Sequence, residues 1–338
     1  MWRYAVRRTL WMLPTAFLVS VLTFFGLNLI PGDIALINAN IGGGQLVQGQ
    51  LVDQPGAGES AGGEINSLDA FVEAFNVKFG LDEPVVTRYL KWVRGMLTGD
   101  PGKSMATEKP IWRDVKVRAP VTLHILFFSL IFSMFFGVTA GLLAAVFQDS
   151  WLDYFVRVFA VFADSFPSFF LLTLLILLPA IWWQYAAPVG YDGPIWEDPW
   201  RGFKQYIPPA FLLSLGASFT VRITRSSLLE VLRSDFVRTA RSKGLNERTV
   251  ILRHAMRNSM IPVVTIFGGT FGFLLGGNII LEQVMALPGL GQYTFNAVIS
   301  RDINVVQAMT MYAAFTVMTV NLLVDLSYAF LDPRIRYQ

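Results

Sequence analysis

RSDFVRTARSKGLNERTVILRHAMRNSMIP, the stretch from Arg233 to Pro262, is a basic polar segment between two long apolar runs. Its basic side chains are Arg233, Arg238, Arg241, Lys243, Arg248, Arg253 and Arg257. A short basic loop between two membrane spans faces the cytoplasm. Small residues precede Gly244, and a helix-compatible stretch continues to Asn258. The segment therefore predicts a short helix, a glycine turn and a second helix that lie beneath the membrane.

The same segment resembles the cytoplasmic coupling loop of permease subunits of ATP-binding cassette importers, specifically the dipeptide, oligopeptide and nickel group. The resemblance implies that residues 230–258 contact a separate ATPase. The residues it assigns to this contact are Arg238, Thr239, Ala240, Arg241, Gly244, Leu245, Glu247 and Arg248. We expect Arg238 to Arg248 to form the short helix, with Ala240 and Gly244 allowing close approach and the arginines donating charged hydrogen bonds. The alternative is a basic loop that only sets membrane orientation.

The resemblance extends to the B-type peptide permeases, which carry a large first external loop, and covers nearly the whole chain except 38–66. The matching stretches are Pro31–Asp33, Phe79–Pro84, Tyr89–Trp92, Leu281–Val284, Pro288–Gly291, Arg301–Asp302 and Asp325–Tyr337. Arg238 stands where the general importer motif has glutamate, and Met256-Arg257 where it has Leu-Pro, and the peptide group shares both changes. Met285 and Asn304 replace a frequent aromatic residue and a frequent proline, which leaves the substrate open.

Composition independently indicates a membrane protein. Of 338 residues, 54% are hydrophobic and 15% are charged, and the mean hydropathy is +0.49. A soluble domain is far more polar. The chain has no cysteine, and its two histidines, His124 and His254, are too few for a histidine-rich metal site, so we expect no metal site. Because the basic cluster has apolar neighbours, we expect membrane lipid and no nucleic acid as its surroundings.

Six long runs with at most one charge predict six membrane spans, since about 20 residues cross the hydrocarbon. They are Thr9–Gly32, Ala119–Gln148, Val158–Trp182, Gln205–Val221, Asn258–Leu281 and Ile303–Val324. The short loops on the side of the termini carry most of the Arg and Lys, which places both termini in the cytoplasm. The fold class is therefore an all-α integral membrane protein, and the resemblance implies the type I ABC importer permease fold with a helical external loop.

Three segments follow from this pattern. Residues 1–32 form an N-terminal arm and the first span, 33–118 an external loop, and 119–338 the core permease domain. Within the external loop, 38–66 is rich in Gly and Gln and predicts a flexible segment. Residues 68–97 show apolar side chains at helical spacing and predict two amphipathic helices over the outer mouth. We favour a packed cap there over direct substrate contact.

Other features of the spans concern packing and a possible pathway. Gly268, Gly272 and Gly276 recur every fourth residue and predict a helix interface. Asp164, ahead of Phe166 and Pro167, is the one ionisable residue of the third run, and the three are candidate pathway residues. A proline-broken turn that binds the carboxylate is the structural alternative.

A lookalike of a phosphate-binding loop at Gly99–Ser104 fails because Leu97 stands where the first glycine is needed. The sequence thus predicts no catalytic residue. The resemblance implies a permease subunit that forms half of a pathway for short peptides in a bacterial or archaeal inner membrane. Its expected partners are a second, C-type permease, two ATPases that bind ATP and Mg, and an external substrate-binding protein; no cofactor is expected on this chain. Nickel chelates, glutathione or oligosaccharides are alternative substrates, and a secondary transporter or channel is the alternative class.

Overall fold

The computed structural model describes residues 2–29, 72–186, 189–190, 195–215 and 218–331. The predicted flexible segment 38–66, Pro31–Asp33 and the last seven residues lie outside them. The regular secondary structure of the described residues is helical, apart from one isolated bridge between Lys103 and Pro110. The helices, in chain order, are α1 (Trp2–Asn28), α2 (72–79), α3 (Val85–Thr98), α4 (Ile111–Val146), α5 (Trp151–Asp164), α6 (Ser168–Trp183), α7 (Pro199–Leu215), α8 (Ser218–Leu232), α9 (Asp235–Ser242), α10 (Glu247–Thr249), α11 (Met256–Val284), α12 (Leu290–Ile299) and α13 (Ile303–Leu331). A π-helical turn, Val250–Ala255, joins α10 to α11.

Three described stretches are long and apolar enough to cross a membrane: Val6–Asn28, Ile111–Val146 and Ile303–Ser327. Two bent helix pairs reach the same length and hydropathy, α5 with α6 at 92° and α7 with α8 at 55°. The proline-broken turn considered for the third span is thus present, whereas the bend within the fourth span was not predicted. In the third, Pro167 ends the helix because proline restricts the residue before it and donates no backbone hydrogen bond. Helix α11 covers the predicted fifth span, and the count of six stays a prediction.

One compact unit comprises residues 1–12, 119–292 and 315–338. Its main core packs α4, α6, α7 and α11 together, with Ile125, Leu172, Tyr206 and Leu274 buried at the centre. A second core lies under the predicted coupling loop, and its buried members are Ala145, Leu228, Val237, Ala240, Val250 and Ala255. The loop is therefore folded onto its own chain.

The other compact unit comprises residues 13–118 and 293–314. Phe75 and Met105 form its small core, with Val72, Phe79, Leu81 and Ile303 packed around them. Helices α2 and α3 lie in the segment where two amphipathic helices are predicted. The apolar stripe expected along α3 is not covered in this chain, however, because Val86, Leu90 and Leu97 are exposed.

Candidate functional site

The predicted coupling loop has the expected helix, glycine turn and helix. Helix α9 ends at Ser242, and Gly244 follows with φ of 75°, a left-handed conformation that favours glycine. The Gly244 amide donates to the Arg241 carbonyl oxygen at 2.9 Å. The Asn246 side chain accepts a hydrogen bond from the Arg248 amide and so caps α10. The expected helix from Arg238 to Arg248 is wrong in its bounds, because Gly244 reverses the chain within it.

The two faces of α9 have different surroundings. Val237 is fully buried and Ala240 nearly so, packed against Leu228 of α8 and against Val250. On the outside, Phe236 is 45% exposed, and Arg238, Thr239, Leu245 and Arg248 are exposed as well. The expectation that Ala240 lets a partner approach closely is wrong, because its methyl group packs inside this chain. The small side chain brings α9 close to α8 instead.

Arg241 and Glu247 bridge the glycine turn. The Arg241 guanidinium donates from Nη2 to Oε1 of Glu247 at 2.6 Å and from Nε to Oε2 at 3.2 Å. These hydrogen bonds hold the pKa of Glu247 below its usual value and raise that of Arg241. Arg241 was expected to donate to a partner, yet it stabilises the loop itself. Arg238 has only an open contact of 3.7 Å with Asp235, both side chains being largely exposed.

Helix α8, which carries this loop, packs closely against α4 at two glycines that the sequence analysis missed. A Cβ on Gly137 would stand 2.8 Å from Cγ2 of Thr220, and one on Gly141 would stand 2.7 Å from the Val221 carbonyl oxygen. Glycines four residues apart allow such backbone approach in membrane proteins. The spacing of Gly137 and Gly141, four residues apart, is the sequence signal that indicates this contact.

A buried ion pair joins α8 to α5. Both oxygens of Asp153, which is fully buried, accept hydrogen bonds of 2.7 Å from Arg225. The Asp149 amide donates to the same carboxylate at 3.0 Å. Arg157 lies 3.2 Å from Oδ1 of Asp153 without a hydrogen bond from its Nε. This pairing was not predicted, because the partners stand far apart in the sequence.

The candidate pathway residues lie where the two bent pairs change direction. Asp164 is the last residue of α5, followed by Phe166 and Pro167 at the bend. Its carboxylate accepts a hydrogen bond from Ser218, the first residue of α8, and lies 3.5 Å from Nη2 of Arg222. The expected backbone capping of Asp164 is thus replaced by side chains of α8. Among the described contacts, the Phe166 side chain makes ring contacts with Phe162 and Phe170 and none that indicates a role in a pathway.

The predicted glycine ridge of α11 has one close contact. A Cβ on Gly268 would stand 2.4 Å from Oδ1 of Asn321 in α13, so this glycine packs within its own chain. At Gly272 a Cβ would be 3.9 Å from Val317, an ordinary contact. The surroundings of Gly276 lie outside the described residues.

Glu282 is a buried carboxylate at the end of α11, and in the sequence it stood out only as part of the stretch Leu281–Val284. It accepts hydrogen bonds from Thr122 and Asn278, each of 2.6 Å, and from the Gln292 amide at 2.8 Å. Thr122 in turn accepts from the Leu290 amide. A carboxylate at a helix N-terminus is favourable, and here it fixes the start of α12 against α4. A Cβ on Gly289 would stand 2.2 Å from Glu282, so only glycine fits there.

Among the side chains that the structure describes, no three His, Cys, Asp or Glu residues are grouped as metal ligands.

Comparison with known proteins shows the family of this chain. The model of the binding-protein-dependent transport system inner membrane component matches residues 137–337. A putative peptide transport system permease protein of Brucella abortus (strain 2308) is 33% identical over 98% of both chains. The glutathione transport system permease protein GsiC of Escherichia coli (strain K12) is 34% identical over 100% of both.

Among solved structures, the inward-facing MetNI methionine ABC transporter matches with a TM-score of 0.51 and 20% identity, over 63% of this chain and 93% of that chain. At this identity the likeness shows the fold alone. It is the fold of an ABC transporter permease, as the sequence resemblance implies. Together with the family match over more than half of the chain, these relatives show that the chain belongs to the inner-membrane permease components of binding-protein-dependent ABC importers.

Proposed function

We propose that this permease subunit imports short peptides and that α9, with the turn after it, carries the contact to a separate ATPase. The observation that carries the proposal is the two-sided burial of α9. Val237 and Ala240 fix the helix to α8, while Phe236, Arg238 and Leu245 remain open to a partner. A helix anchored in this way transmits a push instead of yielding to it, because packed cores deform little.

The path of that movement follows from the contacts of α8. A displacement of α9 reaches α8 through Val237 and Leu228, and Arg225 passes it to α5 through the buried Asp153 carboxylate. Helices α5 and α8 each form half of a bent pair, so the bends next to Asp164 and Ser218 are suitable hinges. Closure of the ATPases would thereby change the opening between the spans.

The remaining parts of the transporter belong to this proposal. A second permease completes the pathway, two ATPases bind ATP and Mg, and an external binding protein delivers the substrate. Both termini and α9 lie in the cytoplasm of a bacterial or archaeal cell. ATP hydrolysis takes place on the separate subunits and not on this chain.

Peptide is the favoured substrate because one relative is called a peptide transport permease. Glutathione is the second candidate, since the GsiC protein, at 34% identity over its full length, is a glutathione transport permease. Glutathione is itself a short peptide with free carboxylates, so the two candidates share their chemistry. Nickel chelates and oligosaccharides are the further members of the substrate panel.

The test is uptake by the reconstituted complex in proteoliposomes. We expect accumulation of labelled dipeptide that requires ATP, both ATPases and the binding protein, and little accumulation of a nickel chelate or an oligosaccharide. A matched preparation without the ATPases controls for leakage. Uptake that proceeds without ATPases on an ion gradient would contradict the importer and favour a secondary transporter.

A further inference from the structure

One face of α8 is exposed along the length of the helix, and its members after Phe219 are polar. Its exposed members are Phe219, Arg222, Ser226 and Glu230. Because they are three or four residues apart, they lie on one side of the helix. The opposite side is buried, with Thr220 and Thr224 against the glycines of α4. The chain therefore keeps this polar face free of its own packing.

The charged part of this face lies deep along the span. Arg222 is ten residues before Leu232, the end of α8, which corresponds to about 15 Å along the axis at 1.5 Å per residue. The hydrocarbon of a membrane is about 30 Å thick. Helix α9 begins three residues after Leu232. The bent pair of α7 and α8 runs to Leu232, so the fourth span extends past the predicted end at Val221 and Arg222 lies about 15 Å inside its loop-side end.

An ion pair at this depth is not covered by the chain itself. The Arg222 side chain is 52% exposed and that of Asp164 is 34% exposed. Charged side chains in a membrane face a water-filled cavity or another protein, because contact with lipid chains is costly. Asp164 holds the guanidinium from one side at 3.5 Å. The planar guanidinium has five N–H donors, so an open Arg222 can still bind a carboxylate with two of them.

We propose that the exposed face of α8 lines the water-filled translocation pathway and that Arg222, positioned by Asp164, binds the C-terminal carboxylate of a passing peptide. This inference rests on the proposed import of peptides and names the group of the substrate that the permease recognises. Charge complementarity carries it: a peptide ends in a carboxylate, and this face of α8 presents one exposed guanidinium inside the span. Glu230, nearer the loop side of the same face, repels that carboxylate and favours its release from Arg222.

The first test measures water access and uses the absence of native cysteine from this chain. Ser226→Cys places a thiol on the polar face, and Val161→Cys, at a 54% exposed apolar position of α5, is the matched control. The assembled complex in lipid nanodiscs is treated with a charged, water-soluble methanethiosulfonate, and the mass of this chain is measured. We expect modification of the first variant and not of the second. A thiol at 226 that stays unmodified with and without ATP would overturn the proposal and indicate that the second permease covers this face.

The second test measures recognition of the carboxylate. Uptake of a dipeptide and of its C-terminal amide is compared in wild type, Arg222→Gln and Arg222→Lys, with the binding protein in excess. The same binding protein serves all variants, so its own preference cancels when the ratios are compared. A charged hydrogen bond is worth enough to predict that Arg222→Gln lowers the preference for the free carboxylate about tenfold or more, while Arg222→Lys keeps most of it.

If the ratio of dipeptide uptake to amide uptake is the same in Arg222→Gln as in the wild type, the proposed carboxylate site is wrong, while the proposed import of peptides still stands. Failure of the proposed function looks different, because the wild-type complex would then show no ATP-dependent uptake of either peptide. If the complex with Arg222→Gln does not assemble, two other measurements decide the proposal. They are the ratio of dipeptide uptake to amide uptake in Arg222→Lys and the modification of the thiol at position 226.

Discussion

Arg225 donates hydrogen bonds from Nε and Nη2 to the two carboxylate oxygens of Asp153, each 2.7 Å long. Asp153 lies in the first turn of α5, is fully buried and also accepts the Asp149 amide. A carboxylate in the first turn of a helix is favoured by the helix dipole. Helix α8 therefore cannot leave α5 without exposing a buried charge.

Removal of this pair should weaken the assembled transporter strongly. Arg225→Gln leaves the buried carboxylate without its charged partner, which costs roughly 3–5 kcal/mol. Arg157→Gln is the matched control, since its side chain is 40% exposed and makes no hydrogen bond from Nε to Asp153. Its guanidinium also lies 4.6 Å from the centre of the Tyr154 ring, and such exposed contacts are worth at most about 1 kcal/mol each. Thermal unfolding of the purified complex measures both. Equal losses of stability would show that Asp153 does not depend on Arg225.

The residue at position 244 should matter through backbone conformation and not through bulk. No described atom lies within 4 Å of the place where a Cβ would stand, but φ is 75°. We expect Gly244→Val to strain the turn by roughly 1–2 kcal/mol and to lower the peptide taken up per ATP hydrolysed. Gly244→Asn tolerates this φ better and serves as control. If both variants take up the same amount of peptide per ATP hydrolysed, the backbone conformation at position 244 does not affect coupling.

Acid should loosen the loop at the bridge between Arg241 and Glu247. Arg241 lowers the pKa of Glu247 from its ordinary 4.5, so the bridge contributes stability above that ordinary value and loses it as the pH falls through the folded pKa. Hydrogen exchange at the Gly244 amide, corrected for intrinsic rates, should therefore rise at acid pH in the wild type. In Glu247→Gln the rise should be absent. A wild-type profile that matches the variant at every pH would contradict the bridge.

The small core of α2 should be needed, whereas the Gly-rich stretch before it should not. Phe75→Ser opens the core around Met105, at a cost of about 3 kcal/mol or more, and should reduce assembly and uptake. Val77→Ser, at an exposed position of the same helix, is the control and should have little effect. Comparable yields of both complexes would contradict a packed cap.

Deletion of residues 42–63, with a short flexible linker in their place, should leave uptake unchanged. The stretch lacks the periodic apolar side chains that offset the entropy of ordering a chain. Uptake by the full complex is the measurement, and a complex with the intact loop is the control. Lost uptake with normal assembly would assign the segment a function in transport.

The sequence predicted the class of the protein and the outline of the loop because both depend on local patterns. Apolar runs indicate spans, and Gly244 after a short helical stretch indicates a turn. What it did not predict are contacts between distant positions. The pairing of Asp153 with Arg225 and the hydrogen bonds of Glu282 bring together residues that have no spacing rule in common.

Ala240 shows why residue type alone was insufficient. A small side chain suits a close contact with a partner and a close contact within the chain equally well. The residue type therefore does not say which of the two contacts is made. Ala240 is buried in the same core as Leu228, so its close contact is within the chain. The bend between α7 and α8 was similarly hidden, since hydropathy is the same for a straight and a bent helix, whereas Pro167 indicated the bend of the third span.

The central claim is that the outer face of α9 contacts the ATPase, and photo-crosslinking tests it most directly. Benzoylphenylalanine replaces Phe236, 45% exposed on α9, or Phe219, 50% exposed on α8, in the assembled complex. Both changes keep an aromatic ring at a half-exposed position, so they form a matched pair. After irradiation we predict a crosslinked product of this chain with the ATPase from position 236 and none from position 219. A complex that transports peptide yet gives no ATPase crosslink from position 236, or gives it equally from 219, would contradict the account.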